Sequence, residues 1–245
     1  MCVSAAMEAS LKCIRPILFE DSQSVDFPYY SHPGGTGFLV RFGQRVYFIM
    51  ASHCLPAERN VNDLRIFVAL GRSVSFLPLR ELRTPKTHDG QDHAHIDFLI
   101  IAAAVDRLSP PDQSILFPLE LGEDRFARPT DDGVVSLFVR GYPGELSEID
   151  YSRKKQRYKA LLARVTNPAR STLNAGTFTV HLDYKKHIKS PGGMSGSPAL
   201  ALVRRPNGTS EICLAGMVIT AGDDSLTLIG GNIFQEALWQ AVSSA

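Results

Sequence analysis

Cysteine is scarce: Cys2, Cys13, Cys54 and Cys213 are the four in 245 residues, too widely spaced for a disulfide scaffold, so free thiols are expected. No Cys-x-x-Cys pair occurs, which excludes a zinc ribbon or a thioredoxin-like motif on spacing alone. Net charge is nearly absent as well. Lys and Arg number 26 against 25 Asp and Glu, so no global field draws in nucleic acid or an acidic surface. No segment reaches the ~18 consecutive apolar residues of a membrane-spanning helix. Met1–Ser10 carries Glu8 and lacks a cationic start followed by an apolar run, so it does not read as a secretory signal. The expectation is a soluble, cytoplasmic chain with neither a nucleic-acid nor a membrane partner. Its 44% hydrophobic content suffices for a substantial core.

Helical periodicity is also rare. Short apolar runs rich in β-branched and aromatic residues take its place: Thr36 to Val40, Arg45 to Met50, Leu64 to Leu70, Ser73 to Leu77 and Asp97 to Ala102 in the first half. The second half repeats the texture in Val134 to Val139, Ala160 to Val165, Thr177 to Leu182, Pro198 to Val203, Ile212 to Ile219 and Leu226 to Ile229. Pro110, Pro111, Pro118 and Pro129 fall between the two groups, where proline's fixed φ and missing donor discourage a central strand. Phe42-Gly43-Gln44 and Pro206-Asn207-Gly208 read as hairpin turns. An all-β protein of two six-stranded antiparallel barrels is predicted: 31–115, then a linker 116–132, then 133–232. Residues 1–30 show no clear period, and their structure is left open. A terminal helix over 233–245 follows from Ile233, Phe234, Ala237, Leu238, Ala241 and Val242 on one face, with Asn232 as cap and Gln235 three residues on.

Pro191-Gly192-Gly193-Met194-Ser195-Gly196-Ser197-Pro198 is the most informative stretch. Two glycines before a serine let the backbone turn tightly enough to aim two amides at one point beside the hydroxyl. The amides of Gly193 and Ser195 are the expected anion-binding pair, and such donors contribute roughly 3 kcal/mol each to a developing oxyanion. A serine hydroxyl is a weak nucleophile near neutral pH and needs an adjacent base. His53 is the candidate, at the end of the strand pattern in Met50-Ala51-Ser52-His53-Cys54. That imidazole needs a carboxylate on its other nitrogen to fix the tautomer. Asp97, at the start of Phe98-Leu99-Ile100-Ile101, fits the role, with Asp92 as its rival.

Gly37-Phe38-Leu39-Val40, Ala51-Ser52-His53-Cys54, Asp97-Phe98-Leu99-Ile100 and Gly193-Met194-Ser195-Gly196-Ser197-Pro198 together resemble the four signature blocks of trypsin-like serine peptidases, in the same His, Asp, Ser order. Val139-Arg140-Gly141-Tyr142-Pro143 resembles a turn of stand-alone bacterial members, and the likeness spans residues 34–242. The resemblance implies a chymotrypsin-like double barrel and peptide-bond hydrolysis by Ser195, His53 and Asp97, without metal or organic cofactor. It also implies a pocket floored by Lys189, which would favour an acidic P1 side chain, and a substrate-pairing edge at Ile219, Thr220 and Ala221, with Gly230 or Gly231 as the opposite wall. Two features depart from the pattern. Met194 stands where secreted members carry the Asp that binds a newly cut N-terminus, and Gly35-Thr36-Gly37 leaves Cys54 without the usual cysteine partner. Both suit a reducing compartment.

Other polar features carry plainer readings. His88, His93 and His95 crowd one loop with Asp89, Asp92 and Asp97, which reads as a solvated approach to the catalytic strand rather than a metal site. His181 and His187 read as surface and loop residues. Arg153-Lys154-Lys155-Gln156-Arg157 reads as a solvated basic face, and Asn207-Gly208-Thr209 as a turn rather than a glycosylation site. The expected partners are a protein or peptide substrate and a regulatory protein. The rival functions are a catalytically silent binding module and hydrolysis of small esters.

Overall fold

The structure is a computed structural model that describes residues 8, 11–20, 29–31, 34–70, 75–83, 97–150, 155–165, 170–171, 176–182, 188–222 and 225–243. It is mostly β. In the first half run β1 (Ile14–Pro16), β2 (Phe19–Glu20), β3 (Tyr29–Ser31), β4 (Thr36–Phe42), β5 (Arg45–Met50), β6 (Leu79–Arg83), β7 (Leu99–Ala103), a short helix α1 (Pro110–Ser114) and β8 (Leu119–Leu121). The second half holds β9 (Val134–Gly141), β10 (Ser147–Asp150), β11 (Lys155–Tyr158), β12 (Leu161–Arg164), β13 (Arg170–Ser171), β14 (Thr177–His181), β15 (Pro198–Arg204), β16 (Ser210–Ala221), β17 (Ser225–Gly230) and the terminal helix α2 (Gly231–Ser243).

Two large sheets result. The first runs β1-β4-β5-β7-β6, with β8 added to β4, and the second runs β12-β9-β15-β16-β17-β14-β13. The first sheet has the expected number of strands, six, but β1 and β8 come from outside the expected 31–115, and the second sheet has seven. Pairing is antiparallel except for β8, which lies parallel to β4 from within the expected linker. Part of the N-terminal segment left open by the sequence also belongs to the first sheet, since β1 pairs with β4 in the register Pro16↔Thr36. Asn207-Gly208 makes its turn as expected, with Gly208 at φ +81° and Arg205 N–H donating to the Thr209 carbonyl at 2.9 Å. Of the thiols expected to be free, Cys54 and Cys213 are free and buried, and Cys13 is buried as well; Cys2 lies outside the described residues.

Burial explains why these segments form strands. In β9, β12 and β14 alternate residues face inward, the period-two pattern of a sheet with one solvated face. β4 and β5 are buried almost continuously, because both of their faces are covered. One apolar cluster gathers Phe38, Phe48, Ile49, Phe98 and Ile100 of the first half, and a second gathers Val139, Val180, Ala199, Val218 and Leu228. The terminal helix joins the halves: Phe234, Ala237 and Leu238 are buried in the first cluster, beside Leu214 and Met217 of β16. The Phe234 ring stacks on Phe98 at 4.4 Å and lies 6.3 Å from Phe38.

Leu64 to Leu70 is a correction: it is not a strand but an irregular segment with isolated bridges at Leu64 and Phe67. The reason is a buried guanidinium. Arg15 donates to the carbonyls of Phe67 at 2.7 Å and Val68, and also to Lys12 and Ile14, so two of the backbone acceptors a ladder would use bind a side chain instead. Of the run expected from Ser73 to Leu77, Ser73 and Val74 lie outside the described residues, and Phe76 forms an isolated bridge to Phe67 rather than a strand. Asn232 is a second correction, since α2 begins at Gly231 and Asn232 lies inside it. Gln235 donates to the carbonyl of Glu123 at 3.0 Å instead of closing a capping box.

Among the described residues no helix is long and apolar enough to cross a membrane. Phe234→Ala removes a fully buried ring by which the terminal helix stacks on Phe98 of the first half. The expected loss is about 3–5 kcal/mol, read as a lower denaturant midpoint in equilibrium unfolding.

Candidate active site

The serine-bearing turn is anchored from the first sheet. Thr36, fully buried at the start of β4, uses its hydroxyl twice: Oγ1 donates to the Gly193 carbonyl at 2.8 Å and accepts from Tyr142 N–H at 2.8 Å. Its own N–H donates to the Ser195 carbonyl at 2.8 Å. Gly196 completes the docking. A Cβ there would fall 1.8 Å from the Thr36 carbonyl oxygen and 3.1 Å from the Ala51 nitrogen, so only glycine fits, and its φ of +82° favours glycine again.

Within the turn the carbonyls are tied back and two amides are left over. Gly144 N–H donates to the Gly192 carbonyl at 2.8 Å, and Ser197 N–H donates to the Met194 carbonyl at 2.9 Å. In a trans peptide the N–H points away from the C=O of the same unit, so these bonds turn the N–H groups of Gly193 and Ser195 the other way. Gly192, Met194, Gly196 and Ser197 all donate to protein acceptors, whereas the N–H groups of Gly193 and Ser195 have no partner among the described residues. Gly193 holds φ +93°, and a Cβ on it would strike the Tyr142 carbonyl at 2.7 Å. The result is a pair of backbone donors of the kind that binds anionic oxygen.

His53 and Asp97 meet directly. The imidazole Nδ1 makes a very short hydrogen bond to Asp97 Oδ2, and Oδ1 of the same carboxylate accepts from Ser52 Oγ at 2.6 Å and from His53 N–H at 3.1 Å. Three donors therefore fix the carboxylate, and the ring turns Nε2 to its opposite side. Ser52 N–H also reaches the Asp97 carbonyl at 3.3 Å, tying the end of β5 to the approach to β7. On the other side of His53, Cys54 Sγ lies 3.9 Å from the Ser195 carbonyl, so the histidine and serine segments are in contact.

The electrostatics follow from these bonds. The Asp97 hydrogen bond, aided by the neighbouring Cys54, raises the His53 pKa to about 10. Burial pushes the Asp97 carboxyl up, but the bonds from His53 and Ser52 together outweigh it and leave its pKa lowered. Both shifts favour an imidazolium–carboxylate pair at rest. Because the folded His53 pKa is raised, the pair's stabilisation is complete below the unfolded value near 6.5 and fades as pH climbs through about 10. The imidazole is 48% exposed and the carboxylate 28%, so solvent screens much of it.

The remaining expected site residues are placed as follows. Lys189 is exposed rather than buried, and its backbone N–H donates to Glu145 Oε2 at 2.7 Å. Its ammonium is not a buried pocket floor. Ile219, Thr220 and Ala221 lie at the end of β16, beyond its last register partner on β15, Pro198↔Met217. That edge has no strand partner there among the described residues, while the other edge pairs with β17. Gly230 ends β17 and Gly231 opens α2, packed against the carbonyls of Leu214 and Ala127. Asp92 lies outside the described residues, as do His88, Asp89, His93, His95, His187, Arg153 and Lys154. His181 is exposed on β14. Among the described residues no group of three His, Cys, Asp or Glu side chains gathers to hold a metal.

Thr36, Ser52, Gly144 and Glu145 belong to the site without having been singled out from the sequence. Ser52 had a signal, its place beside His53; the others act through contacts distant in the chain. Comparison of the chain with protein-family models and with curated proteins finds no match to either.

Thr36→Val keeps the branched shape of the side chain and removes the hydroxyl, leaving Tyr142 N–H and the Gly193 carbonyl unpaired in a buried place. The expected cost is about 1–3 kcal/mol, with Thr36→Ser close to wild type, measured by urea unfolding at unchanged m-value.

Proposed function

We propose that the chain is a serine endopeptidase of the trypsin-like, chymotrypsin-fold type, its two large sheets forming the two barrels of that architecture. Ser195 attacks a peptide carbonyl, and His53 Nε2 takes the hydroxyl proton and returns it to the leaving amine. Asp97 keeps Nδ1–H oriented and stabilises the imidazolium, and the amides of Gly193 and Ser195 hold the oxyanion. Water then releases the acyl group by the same steps in reverse. The observation that carries this reading is the pair of donors at Gly193 and Ser195, without partners among the described residues, on a turn whose carbonyls at Gly192, Gly193, Met194 and Ser195 are all committed. Such donors act on charge that appears only in the transition state, which is where binding energy accelerates a reaction.

The unpaired edge at Ile219–Ala221 supports an extended peptide as substrate, since a strand added there satisfies main-chain groups on both chains. A small ester makes no use of such an edge. The exposed position of Lys189 removes the desolvated ammonium on which a preference for acidic P1 residues would rest, so P1 choice is left to the remaining pocket walls.

A fluorophosphonate probe is expected to label the wild-type chain at Ser195, and Ser195→Ala is expected to abolish labelling while unfolding at the same denaturant midpoint. A folded wild-type chain that resists labelling would support the silent binding module instead.

The paired imidazolium must lose its proton before it can act as a base, so activity is expected to rise with pH through an apparent pKa above the ordinary histidine value of 6.5. In Asp97→Asn that pKa falls toward 6.5 and the rate drops by about 10⁴-fold, the scale found where a triad carboxylate is lost elsewhere. Labelling rates from pH 5 to 10 measure both effects.

A further inference from the structure

Glu145 stands on a short turn that braces itself: Leu146 N–H donates to the Pro143 carbonyl at 3.0 Å, and Ser147 Oγ donates to the same oxygen at 3.2 Å. From this base its Oε2 accepts two successive backbone donors, Lys189 N–H at 2.7 Å and Ser190 N–H at 3.1 Å. The effect runs on along the chain. Ser190 Oγ accepts from Gly192 N–H at 3.3 Å, and Gly144, the residue before Glu145, donates its N–H to the Gly192 carbonyl at 2.8 Å. Residues 189, 190 and 192 are thus pinned to the 144–145 turn, and the 192–193 peptide carries the Gly193 amide.

Met194 sharpens the point. It is fully buried among Val139, Ala163 and Val218, so it offers the turn apolar packing but no charge. Among the described residues the carboxylate that holds the segment entering the serine turn is that of Glu145. A carboxylate accepting backbone N–H groups makes charge-assisted bonds, stronger than neutral ones.

We propose that Glu145 is a positioning residue: it clamps residues 189–190 and thereby holds the Gly193 amide in its anion-binding orientation without proteolytic activation. The catalytic half of this statement rests on the assignment of Ser195 as nucleophile; the clamp itself does not.

Two measurements on the full-length chain test it. Amide hydrogen exchange at Lys189 and Ser190 is expected to speed up about 10-fold or more in Glu145→Ala and by less in Glu145→Gln, whose carboxamide oxygen still accepts. Fluorophosphonate labelling is expected to lose about 10-fold in its maximal rate in Glu145→Ala, with the half-saturating probe concentration little changed and partial recovery in Glu145→Gln. Should Glu145→Ala fail to fold, the near-isosteric Glu145→Gln carries both measurements. Unchanged exchange at residues 189 and 190 overturns the clamp, whatever Ser195 does. Faster exchange with unchanged labelling overturns the positioning role. A wild-type chain that never labels overturns the nucleophile assignment alone, and exchange then still decides the clamp.

Discussion

The site depends on one buried hydroxyl. Thr36 belongs to the first sheet, yet its Oγ1 reaches Gly193 and Tyr142, both of the second half, and its N–H reaches Ser195. The contact with Gly193 spans 157 residues of sequence and that with Ser195 two more, so they close only when both halves are in place. A hydroxyl that donates once and accepts once, where water cannot replace either partner, fixes geometry well because any slip strands two polar groups. Threonine suits the place on a second count: its branched side chain favours the extended backbone of a strand. The consequence is a serine turn referenced to the same strand pair that carries His53, since β4 and β5 are hydrogen-bonded along their whole length from Gly37↔Met50 to Phe42↔Arg45.

The charge arrangement contains a tension that the proposed chemistry must resolve. The same Asp97 bond that orients His53 also holds its proton, and a protonated imidazole accepts nothing from a serine. Orientation and basicity compete, and the Asp97 environment sets the balance between them. Ser52 Oγ and His53 N–H both donate to Oδ1, drawing charge from the carboxylate that would otherwise fall wholly on the ring. Solvent access to the half-exposed imidazole works in the same direction by weakening the pair. A carboxylate with three donors orients firmly and attracts the proton less than a bare one would, the compromise that the proposed proton transfer calls for.

Much of this was legible in the sequence wherever the signal is local. The β4–β5 hairpin, the strands β9, β12 and β14 to β17 and the terminal helix follow from period and composition, whereas the short β10, β11 and β13 had no such signal. The close approach of His53 and Asp97 was readable because each residue adjoins a strand in the same sheet, paired as Met50↔Leu99. What escaped is tertiary. Leu64 to Leu70 has the composition of a strand, but Arg15, 52 residues before Phe67, takes the carbonyls of Phe67 and Val68. Asn232 has the chemistry of a cap, yet helix α2 starts one residue earlier, where Gly231 packs on the backbone of Leu214 and Ala127. Glu145 gave no signal, since a glutamate after Gly-Tyr-Pro-Gly looks like any solvated turn residue until residues 189 and 190 arrive beside it.

The two departures from the trypsin-like pattern find a common answer in these contacts. A Cβ at Gly35 would stand 2.9 Å from Cys54 Sγ, so the chain approaches closely where a cross-link could lie but carries none. Met194 likewise puts a thioether in the apolar core where an ion pair could sit. A covalent bridge constrains the unfolded chain as well as the native one, whereas hydrogen bonds from Thr36 and Glu145 act in the native state alone. Each such bond contributes only about 1 kcal/mol net. Their strength is collective: the turn is held at Gly193 and Ser195 by Thr36 of β4, at Gly192 by Gly144 and at Gly196 by Val218, so releasing one loosens a geometry that the others share. The bonds that hold this turn come from the folded chain's own backbone and side chains, and neither a cross-link nor an ion pair is among them.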